Sequence, residues 1–218
     1  MPRTFYPALV TAVDARLQAH SYGKVTKALG IWMRPVGPAT SAWVGVSAAW
    51  YPGGEGSLGV TIKVGIRHDA IETVLRSLWP ELVDHTGASA INATVVTNIQ
   101  SLRQESIRGV VRVNGPAFVE PAAQTIADQI IEYGWPFANS RSTLSGLIDA
   151  LEKDPFGSAA EYRLPVAHYL DGRPDAAREA LGAGRRRVAE MKGPVKEGYE
   201  AFARDFFTRI ATLPTRAE

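Results

Sequence analysis

The sequence predicts an α+β protein: an antiparallel sheet of about five strands flanked by helices, followed by an α-helical C-terminal region. Three observations lead there. Leu58 to His68 (LGVTIKVGIRH) places Val60, Ile62, Val64 and Ile66 on one face and Thr61, Lys63 and Arg67 on the other, the period of two expected of a strand with one buried side. Ser41 to Tyr51 alternates in the same way, with Val44, Val46, Ala48 and Trp50 in phase, and Pro52-Gly53-Gly54-Glu55-Gly56-Ser57 between the two runs is turn chemistry; together they read as an antiparallel hairpin. Beyond about residue 116 the alternation stops and apolar residues recur at spacings of three and four.

The remaining elements follow in order. Phe5 to His20 carries Leu9, Val10, Val13 and Leu17 on one helical stripe, with Pro7 tolerated in the first turn. Lys27 to Arg34 reads as the first strand, halted by Pro35, so three strands form a meander. Asp69 is placed to cap a helix over Ala70 to Trp79, with Ile71, Val74, Leu75 and Leu78 in phase and Pro80 as its stop. Ala90 to Leu102 and Ile107 to Val113 extend the sheet. Glu120 to Tyr133 is helical and Gly134 is a plausible end for it; Trp135, Pro136 and Phe137 then make an apolar corner. Ser142 to Lys153, Glu161 to Leu170 and Asp175 to Met191 are further helices, and a last one buries Tyr199, Phe202, Phe206 and Ile210. The expected organisation is a sheet domain over 1–115, helices packing on it over 116–157, and a helical hairpin plus final helix over 158–218.

A chain of 218 residues can bury a core without help from metals or disulfides. Apolar residues make up 45% and charged residues 21%, the balance of a folded globular protein. The formal charge of +2 is too small for the global field to imply nucleic acid or an anionic membrane, despite a pI of about 8.9. Cysteine is absent, which removes thiol catalysis and suits a reducing compartment. Asp14 and Arg16 interrupt the only early apolar run, so no secretory segment is predicted and the expected location is the cytoplasm.

Motifs that carry chemistry are few. Gly54-Glu55-Gly56-Ser57-Leu58-Gly59 matches G-x-G-x-x-G by letter, but a strand follows it where a phosphate site needs a helix N-terminus. His20, His68, His85 and His168 have no metal-ligand spacing, and no cofactor or metal is predicted. No G-x-S-x-G or S-x-x-K motif occurs. His68-Asp69, at the junction of strand and helix, is the most reactive-looking pair; the plainer reading makes Asp69 a cap and His68 a surface residue. Asp84-His85 reads as a polar loop. Asn92-Ala93-Thr94 is a glycosylation sequon only by letter, since it sits in an expected buried strand. No catalytic residue is assigned.

Two surfaces stand out for binding. Arg185, Arg186 and Arg187 form the one basic concentration, yet Glu179, Glu190, Glu197 and Glu200 intersperse it, which favours a solvated helix face over a nucleic-acid contact. If Val44, Val46 and Trp50 share a face, Trp43 and Tyr51 emerge on the opposite one, where a second layer, a ligand or a partner has to cover them. An open face there would be the best recognition surface in the protein, and Trp43→Ala would then weaken partner capture without lowering stability.

Leu29-Gly30-Ile31-Trp32-Met33-Arg34, Val60 to Ile66, and Tyr133-Gly134-Trp135-Pro136-Phe137, together with the N-terminal helix, resemble the DUF4304-like family of uncharacterised bacterial proteins over roughly residues 5 to 150. The resemblance implies an α+β fold and transfers no catalytic residues. Some similar small bacterial domains are thought to act as immunity or accessory proteins beside toxins, an association that points to no specific residue.

Three functions remain open on the sequence. The first is a non-enzymatic cytoplasmic protein-binding protein using Trp43, Tyr51, Arg67, His68, Asp69 and Arg185 to Arg187 as its contact residues. The second is an enzyme assembled from dispersed groups at the strand end, Arg67, His68, Asp69 and Glu72. The third uses the helical hairpin, which resembles one tetratricopeptide unit without a second copy, to bind a peptide. Nucleic acid and membrane are not expected partners.

Overall fold

A computed structural model describes residues 5–25, 30–50, 57–80, 92–103, 110–153 and 159–212. The elements are α1 (Tyr6–Gln18), β1 (Gly23–Lys24), β2 (Gly30–Gly37), β3 (Thr40–Trp50), β4 (Leu58–His68), α2 (Asp69–Leu78), β5 (Val95–Asn98), α3 (Ile99–Leu102), β6 (Val111–Val113), α4 (Val119–Gln129), α5 (Trp135–Asn139), α6 (Leu144–Lys153), α7 (Ala160–Leu170), α8 (Pro174–Val188) and α9 (Pro194–Ile210). The α+β expectation holds: the sheet runs β1-β2-β3-β4-β5, with β6 also pairing β4. The tight hairpin expected at 52–56, the Asp84-His85 loop and Tyr51 lie outside the described residues.

The chain forms two compact units, each made of two stretches: Met1–Arg67 with Val96–Ser142, and His68–Val95 with Thr143–Glu218. The units therefore part at positions other than the expected boundaries near 115 and 157. Helix α2 groups with the C-terminal helices, and α4 with the sheet.

In the first unit, β2 and β3 pair with Trp32 opposite Val44 and Met33 opposite Trp43. Residues opposite one another point to the same face, so Trp32, Val44 and Val46 share one face and Met33 and Trp43 the other. Helix α1 lies on the first: the Trp32 indole N–H donates to Asp14 Oδ1 at 2.7 Å, and the Tyr6 hydroxyl donates to the Val46 carbonyl at 2.8 Å. Val60, Ile62, Val64 and Ile66 of β4 are all at most 1% exposed, as the alternation predicts.

Helix α4 does not end at Gly134. The backbone runs through a π turn, Ile130–Gly134, straight into α5, with the Trp135 N–H bonded to the Ile130 carbonyl. Two features explain this. Pro136 has no N–H for the helix ladder, and a widened turn before it relieves the clash of its ring. Gly134 is needed for closeness: a Cβ there would lie 2.7 Å from Val64 Cγ1. The Trp135-Pro136-Phe137 corner is thus helical.

Within the described residues, the strand expected over Ala90 to Leu102 reduces to Val95–Asn98, and Ile99–Leu102 is a helical turn. Val95 and Ile99 are four apart and both buried, a spacing that satisfies strand alternation and one helical turn equally. The run from Ile107 likewise reduces, within the described residues, to β6 at Val111–Val113, paired with Leu58–Val60.

In the second unit, α7 and α8 form the expected hairpin and α9 closes it. Trp79, Tyr162, Tyr199, Phe202 and Phe206 are each at most 2% exposed and meet edge to face, tilted or stacked, with ring centroids 4.8–5.7 Å apart. Pro165 lies inside α7, so the Glu161 carbonyl lacks its usual helical donor. The Tyr199 hydroxyl sits 3.3 Å from that oxygen and 3.2 Å from the Leu181 carbonyl. It fits only because residue 184 is glycine: a Cβ there would collide with the Tyr199 hydroxyl. Burial pushes the Tyr199 phenol up, as its fully enclosed place requires.

Candidate functional site

The strand-end cluster forms in part. The end of β4 runs directly into α2, so His68, in extended backbone at φ −113°, is the cap position and Asp69 is the first helical residue. This corrects both expectations there. His68 is buried at 6% exposure rather than on the surface, and its backbone N–H donates to Thr94 Oγ1 at 2.8 Å. Asp69 is exposed and lies inside the helix rather than at the cap position; its carboxylate complements the helix dipole from the first turn. Arg67, expected on the solvent face, is buried at 5%.

The dominant feature near this junction was not foreseen. Glu72, fully buried on α2, accepts two hydrogen bonds from Arg163 of α7: Nε to Oε1 at 2.8 Å and Nη2 to Oε2 at 3.1 Å. A bidentate guanidinium holds both carboxylate oxygens in plane. Their lone pairs are turned to Arg163, so Glu72 acts as a tether between α2 and α7. Its partner stands 91 residues away in sequence, and only the internal position of both helices' apolar stripes hints at it.

His168, also on α7, is buried at 4%, and its Nε2 lies 3.5 Å from Glu152 Oε1 of α6. Its Nδ1 is enclosed without a hydrogen bond among the described residues. Burial, and then the Arg173 charge, hold its pKa below the ordinary histidine value, against the opposing pull of Glu152, Asp171 and Glu179.

The basic helix face is where the sequence places it. Arg185, Arg186 and Arg187 occupy the last turn of α8, where cations complement the helix C-terminus. Arg185 Nε bonds Glu200 Oε2 of α9 at 3.3 Å with both side chains nearly half exposed, and Arg186 is exposed.

Trp43 does lie on the face opposite Val44, as the alternation requires, yet it is only 8% exposed. Its indole lies flat over Gly45, where a Cβ would come within 3 Å of the ring. The same face carries Ile31 and Met33 half-buried, and Pro35, Ser47, Ala49 and Lys63 exposed. Trp43 is thus the buried centre of this surface, and Ile31 and Met33 are the side chains it presents.

Among the described residues no cluster of three or more histidine or acidic side chains is arranged to hold a metal, and no helix is long and apolar enough to cross a membrane. No family model, curated protein or solved structure matches the chain.

Proposed function

We propose that the protein is a non-enzymatic cytoplasmic accessory protein that binds a protein partner through the second face of the β2–β3 ribbon. The observation that carries this reading is the register of that face: Met33 opposite Trp43 and Ile31 opposite Gly45, with the indole lying down over the glycine. Gly45 and the flattened indole make a smooth apolar floor, and half-buried Ile31 and Met33 rise beside it. Methionine and aromatic side chains in such a setting are favoured in protein interfaces. Some small bacterial domains similar to the DUF4304-like family are thought to act as immunity or accessory proteins, which fits this reading, and the lack of cysteine suits the cytosol.

An enzyme at the end of β4 would have to work without Glu72, whose carboxylate is committed to Arg163. A peptide groove on the helical hairpin would compete with α9, whose Tyr199, Phe202 and Phe206 already fill it.

The test is capture from the protein's own cytosol with tagged wild type and Met33→Glu. Wild type should retain a stoichiometric protein partner and the variant should lose it, with a thermal midpoint shifted by less than ~4 °C, about 1 kcal/mol. Equal capture by Met33→Glu and Ile31→Glu would sink the reading.

A further inference from the structure

In the first unit, on the α1 side of the sheet, Arg34 stands apart from the other arginines that meet a ring. Its guanidinium carbon lies 3.5 Å above the Trp135 ring centroid and 6.0 Å from that of Tyr22. Arg141, over Phe137, also donates to the Phe137 carbonyl, and Arg178, over Phe207, is paired with Asp175. Arg34 is half-buried, and none of its five N–H donors reaches an acceptor among the described residues. Beside it, Tyr22 is 2% exposed, with its hydroxyl enclosed and unbonded among the described residues. Burial drives that phenol up to about 12, against the pull of Arg34, so it stays a donor. The two groups do not bond each other, so among the described residues the donors of both are unspent.

We propose that Arg34 and Trp135, with Tyr22 as the supporting wall, form a binding site for a small oxyanion, the carboxylate or phosphate group of a ligand. Stacking on Trp135 fixes the plane of the guanidinium and leaves its donor edges for an anion, the fork geometry that carboxylates and phosphates match in two parallel hydrogen bonds. Trp32 bonded to Asp14 and the π turn before Trp135 hold the two walls. The site is independent of the β2–β3 face proposed for the partner, because Arg34 pairs with Ala42 and shares the Trp32 side.

Titration of the 15N-labelled protein with sodium benzoate and, separately, sodium phosphate tests this, against sodium chloride at equal ionic strength. The readout is the Trp135 indole N–H resonance. A saturable shift below ~10 mM is expected for at least one anion; benzoate alone identifies a carboxylate site and phosphate alone a phosphate site. Arg34→Gln should weaken that binding at least tenfold while the Trp32 indole resonance keeps its position. No saturation in the wild type with either anion would overturn the proposal, whatever the variants do. So would unchanged binding in Arg34→Gln or in Arg34→Lys, which keeps the charge and loses the fork.

Discussion

Tyr199→Phe removes one oxygen atom, and the structure says where the loss falls. The hydroxyl reaches the Leu181 and Glu161 carbonyls at 3.2 and 3.3 Å. Leu181 sits inside α8, where the helix ladder supplies it a second donor. Glu161 does not have that cover, because residue 165 is proline. The expected loss is therefore that of one partly buried carbonyl left unserved, about 1–2 kcal/mol. Restoring the ladder should remove most of it: in a Pro165→Ala background, which gives Glu161 an N–H, Tyr199→Phe should cost about 0.5 kcal/mol. The two changes would then couple by roughly 1 kcal/mol. Urea unfolding of the four proteins, at constant m, measures this directly. Equal losses in both backgrounds would show that the loss does not fall on the Glu161 carbonyl, and the account of Pro165 would fail.

Other perturbations test other parts of the molecule. Replacing Glu72 by Ala takes the bidentate carboxylate away from buried Arg163 and should cost about 3–5 kcal/mol in urea unfolding, whereas Glu72→Leu with Arg163→Met should recover most of that loss; equal damage from both would refute the tether. Because the folded His168 pKa lies below its unfolded value of about 6.5, the unfolded chain binds the extra proton. Stability should then fall as pH drops through the ordinary histidine range and level off below the lowered folded pKa. His168→Gln should flatten that slope between pH 5 and 8, and an unchanged slope would place the titrating group elsewhere. Trp43→Ala should destabilise by about 3 kcal/mol, as a buried indole does, in contrast to the stability-neutral outcome expected of an exposed one; a midpoint within ~2 °C of wild type would restore Trp43 as an open contact residue.

What could be read from the sequence were the features that repeat at short range. The alternation at Leu58 to His68 locates the inner strand and its buried face, and the stripes of α1, α2 and α9 mark their core residues. Where two periodicities agree, as at Val95 and Ile99, local pattern cannot choose between strand and helix. Gly134 shows a different limit. A glycine after an apolar stripe resembles a helix end, and only the closeness of Val64 shows that it serves a packing contact. The candidate residues fared according to reach. Arg185 and Arg186 are exposed at a helix end, as their charge pattern suggests, while Arg187 is half-buried. Arg67 and His68 turn out buried, because strand polarity says nothing about what comes to cover it. Glu72 with Arg163, and Arg34 with Trp135, join residues far apart in sequence, and no spacing rule connects them.

The division of each unit between two stretches of chain has a consequence in time. Glu72 is synthesised 91 residues before Arg163 exists, and its apolar neighbours Ile71, Val74 and Leu75 come with it. At roughly 5–20 residues per second, that is an interval of roughly 5 to 20 s. Throughout it, α2 presents a charged group with no partner and a greasy stripe with no cover, the kind of segment a chaperone holds. A fragment ending anywhere between α2 and α7 makes that interval permanent, so shortening this protein from its C-terminal side should yield aggregation long before it yields an isolated sheet domain.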